Sequence, residues 1–131
     1  MNKINLACVV EDDPVHLFLI KQIISLSGLV NHTLVCQNGK EAYEMLASRV
    51  SLEENLPELI LLDLNMPVWD GWQFLDEFTS ISVFQNITVY IVTSSSSEED
   101  LRRAEKYNLS GNYIVKPITL EKLKEIIYQM N

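Results

Sequence analysis

Five short apolar runs recur along the chain, at residues 4–10, 33–36, 59–62, 87–92 and 113–115. Each has the length of a β-strand. Their near-continuous apolarity fits strands buried on both faces better than the strict alternation of a half-solvated sheet. Between the runs, apolar residues fall at helical spacing: Leu17, Ile20 and Ile24 ending near Gly28; Ala42, Tyr43, Leu46 and Ala47; Phe74, Leu75 and Phe78; Leu101 and Ala104; Leu120, Leu123, Ile126, Ile127 and Met130. Start signals agree with these segments. Asn38 precedes Glu41 by three residues and Asp70 precedes Gln73 by three, the spacing of a capping box, while Ser97 opens a stretch with acids in its first turn. Strict alternation of strand and helix predicts a doubly wound α/β fold, a parallel sheet of five strands covered by helices on both faces. In such sheets ligands bind outside the carboxyl ends of the strands.

The length of 131 residues suits one domain, so residues 1–131 are expected to form a single unit without a separate output module. At 47% hydrophobic and 21% charged the composition is that of a globular protein, which excludes disorder and disulfide-dense scaffolds. No apolar stretch reaches the length of a membrane span and no leader pattern is present, so a cytoplasmic setting is expected. Cys8 and Cys36 lie in apolar runs and read as buried reduced thiols. The net charge of −8 disfavours nucleic acid and anionic membranes as direct partners. Residues 97–131 hold six acids and six bases, so the whole acidic excess lies in the first 96 residues.

That excess gains meaning at the strand ends. Glu11-Asp12-Asp13 follow the first strand, Asp63 the third, Thr93 the fourth and Lys116 the fifth. The acidic triplet alone would read as a solvated turn. Together with Asp63 it forms a carboxylate cluster of the kind that binds a hard cation through oxygen, with magnesium the common choice where phosphate is handled. Asp63 ends a buried run, where an uncompensated carboxylate is costly. Such a carboxylate can act as a nucleophile toward phosphorus, with Thr93 and Lys116 meeting the phosphoryl oxygens. Pro117 restricts the backbone of Lys116 and permits a cis bond.

The segments Val9-Val10-Glu11-Asp12-Asp13-Pro14, Asp63-Leu64-Asn65-Met66-Pro67-Val68-Trp69-Asp70-Gly71, Thr93-Ser94 and Lys116-Pro117 together resemble the receiver domain of two-component response regulators, across essentially the whole chain. The resemblance implies a flavodoxin-like sheet in the order 2-1-3-4-5 with five helices. It implies that Asp63 is the phosphoacceptor and that Mg2+ is held by Asp12, by Glu11 through water, by Asp63 and by the backbone carbonyl of Asn65. The acidic pair can also be read as Asp12-Asp13; the place of Pro14 favours Glu11-Asp12. Thr93 and Tyr113 map to the switch hydroxyl and aromatic ring, with the read-out on the fourth helix, fifth strand and fifth helix. Implied partners are a sensor histidine kinase or phosphotransfer protein and a downstream protein target. The only chemistry implied is self-phosphorylation and autodephosphorylation.

Ser94 stands where alanine or glycine is common, and Trp69 fills a variable place. His16 and His32 fit no phosphoacceptor pattern and read as ordinary helix and loop residues. Three alternatives differ in class. An aspartyl phosphatase needs an acid where this chain has Asn65, a flavin carrier needs a phosphate loop where it has three acids, and a receiver-like interaction module would work without phosphorylation.

Overall fold

All five expected strands pair in parallel into one sheet, in the order β2-β1-β3-β4-β5. The computed structural model describes residues 3–130. Along the chain run β1 (Ile4–Val10), α1 (Pro14–Ser27), β2 (Val30–Cys36), α2 (Gly39–Ser51), β3 (Leu59–Leu62), α3 (Gly71–Phe78), a single 3-10 turn (Ser82–Phe84), β4 (Thr88–Thr93), α4 (Glu98–Glu105), β5 (Tyr113–Val115) and α5 (Leu120–Met130).

Two boundaries differ from the sequence reading. β2 begins at Val30, three residues before the apolar run, so His32 lies in a strand and not in a loop. β2 is an edge strand, and its exposed Asn31 and His32 dilute the apolar signal that central strands carry. β4 begins at Thr88, one residue late, and ends on Thr93.

Alternate residues of each central strand build two separate cores. Cys8, Val10, Ile60, Leu62, Val89 and Ile91 pack under α2, α3 and α4, through Leu46, Phe74, Leu75 and Ala104 among others. Ala7, Val9, Leu59, Leu61, Tyr90 and Val92 pack under α1 and α5, through Ile20, Ile24, Leu123, Ile126 and Ile127. Burying each valine, leucine, isoleucine or phenylalanine among them contributes about 1.5–3 kcal/mol before entropy is counted. β3 is therefore buried along all of its length, as its unbroken Leu-Ile-Leu-Leu run requires.

Local signals set the helix ends. Asp13 caps α1, Asn38 caps α2, Ser97 caps α4, and Asp70 with Gln73 forms a complete capping box on α3. Gly28 ends α1 at φ 66°, a left-handed conformation that glycine adopts without a Cβ penalty. Cys8 and Cys36 are buried free thiols. Among the described residues, no helix is long and apolar enough to cross a membrane.

The ladder continues past the strand ends on the carboxyl side. Glu11 N–H donates to Cys36 O at 2.9 Å, Asp63 N–H to Val10 O at 3.0 Å and Lys116 N–H to Thr93 O at 2.8 Å. These bonds fix the backbone of Glu11, Asp63 and Lys116, so their three side chains are delivered to the edge of the sheet where Thr93 ends β4.

Candidate functional site

Three of the predicted acids converge. Glu11, Asp12 and Asp63 each offer a carboxylate oxygen, and the three oxygens lie within 4.8 Å of one another. Such a donor set, all carboxylate oxygen, fits a hard divalent cation. Asp13 does something else: its Oδ1 accepts the Val15 N–H at 3.0 Å as the cap of α1. Asn65 is exposed in the loop after β3, two residues beyond Asp63.

Lys116 compensates part of this charge. Its Nζ lies 3.0 Å from Glu11 Oε1 and 3.5 Å from Asp63 Oδ2, with Glu11 1% exposed and Asp63 5% exposed. The Lys116-Pro117 bond is cis. Asp63 Oδ1 accepts the Leu64 N–H at 2.8 Å. The balance differs between the two acids. Burial, then the neighbouring Glu11 charge, push Asp63 up from its usual 3.8 to about 6, more than Lys116 and the Leu64 N–H pull it down. For Glu11 burial works in the same upward direction, but hydrogen bonds from Lys116 and His16 outweigh it and hold the carboxyl below its usual value. Burial alone would lower Lys116; its two carboxylates reverse that and raise it. The crowding therefore falls on Asp63, and a bound cation would relieve it.

Thr93 is fully buried, and its Oγ1 accepts the Ser95 N–H at 3.3 Å. The Tyr113 hydroxyl, on the neighbouring strand, donates to the Ser95 carbonyl at 2.8 Å. Both residues thus hold the short loop between β4 and α4 through the backbone of Ser95. Burial raises the Tyr113 hydroxyl above its usual value, so it stays a donor throughout the ordinary pH range.

The loop from Leu64 to Gly71 is shaped by close approaches. A Cβ on Gly71 would stand 2.6 Å from the Asp63 carbonyl oxygen, so only glycine lets α3 start this close to the phosphoacceptor candidate. Gly39 donates its N–H to Trp69 O at 2.9 Å, and Trp69 packs against Tyr43 with ring centroids 5.7 Å apart. Val68 is 68% exposed and holds φ at 67°, a left-handed conformation that a β-branched residue rarely adopts.

The family model described as "Response regulator receiver domain" matches residues 7–128. The chain belongs to that family. As a receiver domain it is a module of two-component signalling. It is 31% identical over 122 residues to the "Probable methanogenesis regulatory protein FilR2" of Methanothrix harundinacea, covering 93% of this chain and 78% of the relative. It is 34% identical to the nitrate/nitrite response regulator protein NarL of Escherichia coli, of which it spans only 52% while 92% of this chain is covered. Among solved structures it resembles the phosphorylated cyanobacterial phytochrome response regulator RcpA, with a TM-score of 0.78 and 27% identity, covering 98% of this chain and 91% of that one.

In this receiver domain two contributors escaped the sequence reading. His16 is not an ordinary helix residue: it is 5% exposed, and its Nδ1 lies 2.7 Å from Glu11 Oε1. The signal was present, since His16 shares a helical face with Ile20 and Ile24 at steps of four. Ser95 acts through its backbone carbonyl and N–H, which no side-chain pattern reveals, and its hydroxyl pairs with Asp100 Oδ2 at 2.6 Å.

Proposed function

We propose that this receiver domain accepts a phosphoryl group on Asp63, with Mg2+ held by Glu11, Asp12, Asp63 and the Asn65 backbone carbonyl. The observation that carries this reading is the pairing of a 5%-exposed Asp63 with Lys116 at 3.5 Å inside the three-carboxylate cluster. The cation, when bound, neutralises charge on the phosphoryl oxygens. In the transfer, a bond forms between an Asp63 oxygen and phosphorus while the bond from phosphorus to the donor, a phosphohistidine nitrogen, breaks. Lys116 turns from Glu11 toward a phosphoryl oxygen. Thr93 gives up the Ser95 N–H and donates its hydroxyl to another, and the loop that Tyr113 grips through Ser95 follows.

The donor in this reading is a sensor histidine kinase or phosphotransfer protein in the cytoplasm. The surface that reports the change, α4, β5 and α5, meets a downstream protein. Asp63 is consumed once per event and restored by autodephosphorylation, so the domain is not an enzyme in the usual sense. The half-buried Lys116 beside the buried Asp63, at the edge where the buried Thr93 ends β4, favours this over a purely structural interaction module.

Acetyl phosphate with Mg2+ tests the proposal. The wild type is expected to gain one phosphoryl mass that survives acid and is lost in base, Asp63→Asn to gain none, and Asp12→Ala to lose magnesium-dependent labelling. Equal labelling of wild type and Asp63→Asn would overturn the assignment.

A further inference from the structure

Glu11 is held by more groups than a water-linked metal ligand needs. Its Oε2 accepts the Asp13 N–H at 3.2 Å. Its Oε1 receives two donors at once, His16 Nδ1 at 2.7 Å and Lys116 Nζ at 3.0 Å. The two donors differ in kind. Lys116 is a flexible four-carbon stem whose side chain is 15% exposed, and in the reading proposed above it turns to the phosphoryl group. His16 is a rigid ring, 6% exposed, carried on α1 and packed beside Ile20 and Ile24.

The contact also fixes where the ring carries a proton. An ionised carboxylate offers only lone pairs, so the proton of the bond sits on Nδ1. Nε2 has no partner among the described residues. A proton placed there instead would leave a buried donor unpaired, which costs more than leaving a bare acceptor.

We infer that His16 is a positioning residue that holds the Glu11 carboxylate in its metal-facing orientation through its Nδ1–H, independently of Lys116. The inference rests on the metal-assisted reading proposed above and adds a group to it. While Lys116 pairs with Glu11, the two donors share the task. Once Lys116 turns to the phosphoryl group, His16 is the side-chain donor left on Oε1, and it keeps the carboxylate from rotating. Hydrogen-bond partners behind a metal ligand typically account for about 10–100-fold in affinity. With Asp13 N–H and Lys116 still on Glu11 in the resting state, the low end applies here.

The test is calorimetric titration of Mg2+ alone into the unphosphorylated chain. His16→Leu, which fills the site without a donor, is expected to weaken binding about tenfold. In His16→Asn the amide N–H reaches the place of Nδ1 and affinity returns to within about threefold of wild type, whereas the longer His16→Gln stays as weak as the leucine variant. Unchanged affinity in His16→Leu, or His16→Asn as weak as His16→Leu, would overturn the inference.

The wild type alone provides a second readout that needs no variant to fold: a long-range proton–nitrogen spectrum is expected to show a proton on His16 Nδ1. A bare Nδ1 would contradict the inference. Wild-type protein that binds no Mg2+ would overturn the functional reading itself. Wild-type binding with an indifferent His16 would remove this inference alone.

Discussion

The two ends of the sheet use the same backbone ladder to opposite purposes. At the amino end the bonds continue from Ile4 N–H to Leu29 O at 2.8 Å, from Glu58 N–H to Leu6 O at 2.9 Å and from Thr88 N–H to Glu58 O at 3.0 Å. Glu58, beside it, lies on the surface and accepts the Asn5 N–H through Oε1 at 2.7 Å. At the carboxyl end the ladder also continues by one residue, but it delivers Glu11 and Asp63 into the interior at 1% and 5% exposure. One end satisfies its backbone and leaves its charge in water. The other accepts buried like charges, which lower stability, in a geometry suited to a cation and a phosphoryl group.

Removing the Lys116 charge should cost the most stability. Lys116→Met leaves two buried carboxylates without a counter-charge, and urea denaturation in EDTA at neutral pH should show a loss of about 3–5 kcal/mol. The matching change at the other end, Glu58→Gln, keeps the acceptor for Asn5 N–H and should stay within about 0.5 kcal/mol of wild type.

Next in size is the pH dependence that Asp63 imposes. Its folded value of about 6 stands above the usual 3.8, so the folded state prefers the protonated form. The stability it contributes is therefore full below 3.8 and lost as pH rises through about 6. The displacement corresponds to about 3 kcal/mol. In EDTA, Asp63→Asn should accordingly match wild type near pH 4 and exceed it by about 3 kcal/mol above pH 7, with Mg2+ narrowing the gap. A gap that does not change with pH would mean that the carboxylates do not crowd one another.

The smallest effect concerns the loop beside the site. Val68 holds φ at 67° while 68% exposed, so Val68→Gly relieves backbone strain and gives up little burial. The strain of roughly 1–2 kcal/mol exceeds the entropic cost of glycine, and a thermal melt should show a gain of about 1 kcal/mol. Loss of stability would show that Val68 packs in a way its exposure does not suggest.

Legibility in the sequence followed burial. β1, β3 and β4 are covered on both faces, so their apolar runs announce them, whereas the edge strand β2 shows only its second half. The converging site was readable because a parallel α/β sheet must bring the carboxyl ends of its strands to one edge, and Glu11, Asp63, Thr93 and Lys116 all follow or end strands. The triplet needed the structure. Asp13 is engaged as a helix cap, which leaves Glu11 and Asp12 to face Asp63. The burial of His16 was readable from its helical face, but its role was not, because its partner appears only when the fold brings Glu11 to it. The Val68 backbone was hidden because its local preference opposes the conformation that the fold imposes.

Transfer of the phosphoryl group to Asp63 is read by locating the modification. After incubation with acetyl phosphate and Mg2+, borohydride reduction of the acyl phosphate followed by peptide mass mapping should mark Asp63 and no other residue. A mark on Asp12, Asp13 or any histidine in place of Asp63, or no mark at all, would contradict the account.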